Sequence, residues 1–156
     1  MISPRMTEFL QKPLSMNAGS RDQGLRPDSV RVLGPVGVTD EGRLTFYAPR
    51  DQAERSLHNY AQSQRVALVA CDIPTFETYQ FKGEFVAARE CTAAEQSSTE
   101  AYLQQLVELL VELGYPRDLV AGWDLLKSRP CVRVEFNVAE VFHQTPGPDT
   151  GNAVTG

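Results

Sequence analysis

The sequence predicts a mainly β fold, an antiparallel barrel carrying two or three helices, from three observations. Extended runs outnumber helical ones. The early runs are joined by turns too short for parallel crossovers. The chain has 156 residues, enough for one domain with a real hydrophobic core. A barrel of this size needs few strands, and its helices plug an open end or lie across a side.

In chain order, Met6, Phe9 and Leu10 share one face of a leading helix over Pro4 to Gln11, stopped by Pro13. Extended segments follow at Leu14 to Arg21, Ser29 to Thr39 and Arg43 to Ala48, separated by the turns Asp22-Gln23-Gly24 and Asp40-Glu41-Gly42. Gly34-Pro35 should bend or bulge the second. Ala53, Leu57, Tyr60 and Ala61 fall at helical spacing over Asp51 to Ser63, with Asp51 and Glu54 placed as a capping pair. The run VALVAC within Arg65 to Asp72 suits a strand buried on both faces, ended by Ile73-Pro74. Glu77 to Ala88 alternates Tyr79, Phe81 and Phe85 against Gln80, Lys82 and Glu84.

Thr92 and Glu95 make a capping box for the longest helix, whose stripe Leu103, Leu106, Val107, Leu110 and Leu113 ends at Gly114 with Pro116 beyond. A shorter helix from Pro116 to about Leu126 includes Trp123. Val132, Val134, Phe136 and Val138 line one face of a last strand, Cys131 to Phe142. The domain is placed at 1–143, and the tail at 144–156, low in apolar content, is expected to be extended or mobile.

Fifteen Lys+Arg against twenty Asp+Glu give a net charge of −5 and a pI near 5.0. That disfavours nucleic acid and anionic membranes as partners. No run approaches the roughly 18 to 20 apolar residues of a membrane span, and the opening residues do not suit a secretory signal, so a cytoplasmic protein is expected. Cys71, Cys91 and Cys131 are widely separated, and His58 and His143 are the only histidines. Neither a disulfide framework nor a zinc or multi-histidine metal site is expected.

The series RVLG at Arg31 to Gly34, LTFYAPR at Leu44 to Arg50, a helix, RVALVA at Arg65 to Ala70 and YQFKGEF at Tyr79 to Phe85 resembles the pyridoxamine 5′-phosphate oxidase-like, FMN-binding proteins. The resemblance covers roughly residues 5 to 142 in order of elements. It implies a six-stranded antiparallel split β-barrel with flanking helices, homodimeric, with FMN in the cleft between subunits. It also implies a flavoprotein, an FMN-dependent oxidoreductase of unassigned substrate. The alternative is a non-catalytic, flavin- or haem-binding stress-response dimer.

By that resemblance Arg31 contacts the flavin phosphate, and a guanidinium suits the task through its planar paired donors. The same residue reads equally as a surface arginine on an edge-facing strand. The backbone at Val32 and Leu33 would lie along the flavin. Tyr47 and Ala48 stand where the family has an aromatic and a small hydroxyl residue. Arg50 and Arg55 would serve the phosphate, beside a helix N-terminus that attracts anions, although Asp51 and Glu54 oppose them. Gln80 matches a glutamine at the flavin edge, with Lys82 beside it; both also read as the solvated face of a strand. Trp123 reads as packing, with a place over the flavin as the other possibility. Family members that oxidise vitamin B6 carry arginine and histidine near the C-terminus to hold substrate. This chain ends FNVAEVFHQTPGPDTG, so that reaction is not expected of it.

Overall fold

Ser3 begins the fold by accepting the Met6 N–H at 3.3 Å, and Pro4 supplies the preset φ that suits a first helical position. The computed structural model describes residues 2–154. Helix α1 (Pro4–Leu10) is followed by β1 (Ser15–Arg21), β2 (Pro27–Val38), β3 (Arg43–Pro49), α2 (Arg50–Ser63), β4 (Arg65–Cys71) and β5 (Thr78–Glu90). Then come α3 (Ala93–Glu112), α4 (Arg117–Ala121), a 3-10 turn (Asp124–Leu126) and β6 (Cys131–His143). The strands close in the order β1-β2-β3-β6-β5-β4, all pairs antiparallel. This is the six-stranded barrel with flanking helices that the sequence predicts.

The period-2 pattern fills the interior. Met16, Ala18, Val32, Phe46, Leu68, Phe81, Val134 and Phe136 are buried, and Phe46 meets Phe136 edge-on at 6.0 Å. Phe9 on α1 packs edge-on against Tyr79 at 4.9 Å. Helix α3 is held to the barrel by Tyr102, whose hydroxyl donates to the Leu14 carbonyl and accepts from the Leu14 N–H, both at 2.7 Å. A Cβ on Gly34 would collide with the Tyr102 ring. The pairing of β2 with β3 shifts between Leu33 and Gly37, as Gly34-Pro35 predicts.

Three local expectations are corrected. Helix α2 begins at Arg50 after an N-cap Pro49 with no side-chain cap, so Asp51 and Glu54 are not a capping pair. Asp51 instead accepts from Arg129 at 3.3 Å. Strand β4 buries Val66, Leu68 and Ala70 and leaves Ala67, Val69 and Cys71 half-buried, because its second face lies outside the barrel. The expected helix from Pro116 to Leu126 is two short pieces, interrupted at Gly122-Trp123. Past His143 the described residues turn back on β6: the Val154 N–H donates to the Val141 carbonyl at 2.8 Å and the His143 N–H to that of Asn152 at 2.9 Å. No helix among the described residues is long and apolar enough to cross a membrane.

Candidate functional site

Alternation along β2 turns Arg31 outward, where it sits half-buried and donates to Ser15 Oγ at 3.2 Å. Among the described residues no carboxylate lies within ion-pairing distance of it. Burial lowers its pKa, the effect expected when a charge is withdrawn from water, yet a guanidinium stays protonated at neutral pH.

Arg31 and Leu33 line a cavity of about 350 Å³ together with Pro49, Gln52, Trp123 and the segment that ends at Lys127 and Arg129. The first turn of α2 borders it, adding the positive end of a helix dipole. Trp123 forms one side, braced edge-on by Tyr115 at 5.7 Å. Lys127 and Arg129 were not legible as site residues. Their only signal is a basic pair just before the last strand, and a loop brings them over β2. Asp124 opposes the positive charge: Arg129 donates to it at 2.8 Å, and Lys127 stands 3.7 Å from it.

The remaining predicted residues divide. The side chains of Val32 and Ala48 are buried in the barrel core, so only their backbones are available to a ligand outside. Tyr47 is buried outside the barrel wall near the α3 N-terminus; desolvation first, then nearby Glu95, raises its pKa and keeps it a neutral phenol. Arg50 is exposed and engaged by Glu90, with Nε donating to the carboxylate at 2.9 Å. Arg55 borders a separate shallow depression with His58, adjoining the Arg31 cavity through Gln52.

Gln80 and Lys82 face outward from β5. Lys82 Nζ lies 4.6 Å from the Phe142 ring centroid, a cation–π contact that leaves the ammonium without a carboxylate partner among the described residues. The register Arg31↔Asn17, Asn17↔Val69, Val69↔Gln80 places Arg31 and Gln80 on one rung, three strands apart in a ring of six. Within one chain they therefore point away from each other.

Burial pushes the Cys91 thiol up to about 11 and raises Cys131 as well, so both are thiols at neutral pH. No cluster of metal-ligating side chains occurs among the described residues.

No family model matches the chain, and no curated protein matches it. Solved structures do. HupZ from Group A Streptococcus is similar over 97% of this chain and 100% of its own, with 14% identity and a TM-score of 0.53. A candidate pyridoxamine 5′-phosphate oxidase from Lactobacillus delbrueckii is similar over 90% of this chain and 92% of its own, with 16% identity and a TM-score of 0.52. The chain has the split-barrel fold. At these identities the likeness transfers the backbone path of the split barrel and no side-chain role.

Proposed function

We propose that this split barrel is a cytoplasmic, homodimeric FMN-binding protein, an oxidoreductase of unassigned substrate. The single observation that carries the reading is Arg31, half-buried, with no carboxylate in ion-pairing distance among the described residues, and set in the wall of a cavity. Arg31 would bind the flavin phosphate, with Lys127, Arg129 and the first turn of α2 adding positive potential. The cavity lies at the small end of ligand-pocket sizes. It suits the phosphate end, while a ring system of three fused rings needs space outside it. The outward wall at Gln80 and Lys82, supplied by a second copy, is the surface proposed to cover that ring. Flavin, when bound, supplies the electron-transfer chemistry, and the protein's part is to hold and orient it.

A second reading is favoured by Asp124 and Asp51, which already occupy Arg129. On that reading the dimer is non-catalytic and holds flavin, haem or another planar ligand weakly, or none. Titration of the purified protein with FMN, followed by flavin fluorescence, separates the two. Saturable quenching at one flavin per chain supports the first reading, and absence of quenching supports the second. A Soret band on adding haemin would assign the ligand as haem.

A further inference from the structure

Of fifteen lysines and arginines, five have no carboxylate within ion-pairing distance among the described residues: Arg21, Arg31, Arg55, Arg65 and Lys82. Three of the five, Arg21, Arg65 and Lys82, border one groove of about 470 Å³ on the outer face of the barrel. In a chain of net charge −5, three cations against two bordering carboxylates leave this groove a local excess of one positive charge.

The register explains how the groove is made. Gly19, Ala67 and Lys82 stand side by side across β1, β4 and β5. The first two have almost no side chain, so the sheet surface is open beside Arg21 on β1, Arg65 on β4, which has Glu84 cross-strand from it, and Lys82 on β5. Gly83 and Ala139 complete a floor of small residues. Gly83 is required there by the fold, because a Cβ would collide with the Asn137 carbonyl. Lys82 is steered by its contact with Phe142. Two carboxylates also border the groove: Asp28, which accepts from Ser56 Oγ at 2.8 Å, and Glu140, cross-strand from Lys82.

We propose that this groove binds the diphosphate group of a small molecule, with Arg21 and Lys82 on its two outer strands and Arg65 on the strand between them. Two strand spacings separate β1 from β5, about 10 Å. That frame is wider than one phosphate needs and matches two linked phosphates reached from both sides by long side chains. Guanidinium groups supply the paired donors, and the ammonium supplies a point charge. The site is distinct from the Arg31 cavity: along β4 it lies on the Arg65 side of Ala67, away from Val69 and Gln80. It shares Lys82 with the surface proposed to cover the flavin ring, so a second copy seated on that wall and a ligand in the groove would compete for the same side chain.

The test is titration of the full chain with inorganic pyrophosphate at constant ionic strength, read by amide NMR. Saturable shifts centred on Gly19, Ala67 and Gly83 are expected. The Arg21→Gln/Arg65→Gln double variant, exposed and remote from the core, should weaken binding ten-fold or more, while Arg31→Gln should leave it within two-fold. ADP in place of pyrophosphate distinguishes sources. Tighter binding with added shifts at Ala139 assigns a nucleotide, and equal binding assigns the diphosphate group alone. Shifts that do not saturate, that centre on Arg55 or the Arg31 cavity, or that persist unchanged in the double variant would overturn the proposal.

Discussion

Arg31 and Gln80 stand on the same hydrogen-bonded rung of the barrel and face opposite directions, because three strand steps separate them whichever way the ring is followed. One copy therefore cannot close both residues on one ligand. If they share one, the second residue comes from another molecule. Light scattering is expected to give twice the chain mass at micromolar concentration. A monomer that still binds FMN would separate Arg31 from Gln80 in function.

Removing the Arg31 guanidinium should cost FMN its best phosphate donor. A charge-assisted hydrogen bond contributes about 1.5 to 3 kcal/mol, so Arg31→Ala is expected to weaken binding roughly 10- to 100-fold. Gln80→Ala, which leaves the phosphate end intact, should cost less. Fluorescence titration of each variant measures both, and an unchanged affinity in Arg31→Ala refutes the phosphate assignment.

Glu95 should dominate the acid limb of stability. Its carboxylate accepts from Arg89 at 2.8 Å and from the Thr92 N–H at 2.9 Å, and lies 3.6 Å from Arg133. Arg89 is the chief cause that holds its pKa down at about 2, against an ordinary 4.5. A group depressed on folding contributes stability that is present above its unfolded pKa and lost as pH falls through its folded one. The loss should run from about pH 4.5 to about pH 2 and, after screening at a helix end partly open to water, amount to about 1 to 2 kcal/mol. Denaturant melts of Glu95→Gln across that range should show a flatter pH dependence than the parent.

Tyr102→Phe tests the fastening of α3. It leaves the Leu14 N–H and carbonyl without partners in a buried setting, at a cost of about 1 to 3 kcal/mol. The urea midpoint should fall with little change in the slope of the transition.

Gly83→Ala should be far more damaging than its size suggests. The pairing of β5 with β6 shifts register between Lys82 and Gly83, and an added Cβ there meets the Asn137 carbonyl, which is backbone and cannot swing aside. Loss of soluble expression, or a thermal midpoint lowered by more than 10 °C, is expected, since about 1 kcal/mol moves such a midpoint by some 2 to 8 °C. Gly42→Ala, in open space at φ +77°, should cost about 1 kcal/mol, mainly from the left-handed backbone.

Much of the barrel was legible where a strand carries its own alternation: Tyr79 and Phe81 on β5 and Val132, Val134 and Phe136 on β6 declare an inner face without reference to any neighbour. The Thr92–Glu95 box was legible for the same reason, being local. What could not be read was the environment of charged side chains. The sequence shows Asp51 three residues before Glu54 and suggests a cap; only the fold brings Arg129, far along the chain, to Asp51. Likewise nothing local distinguishes Arg31, which has no acidic partner among the described residues, from Arg50, which has Glu90. Those differences arise from loops that close over β2 and from cross-strand neighbours, which no spacing rule encodes.

The circular strand order has a bearing on assembly. A ring leaves no backbone amides along a terminal strand for an incoming chain to recruit. Strand addition is thereby closed to any partner, and a self-complex has to be specified by outward side chains, whose identity point substitutions can alter without rewriting the barrel.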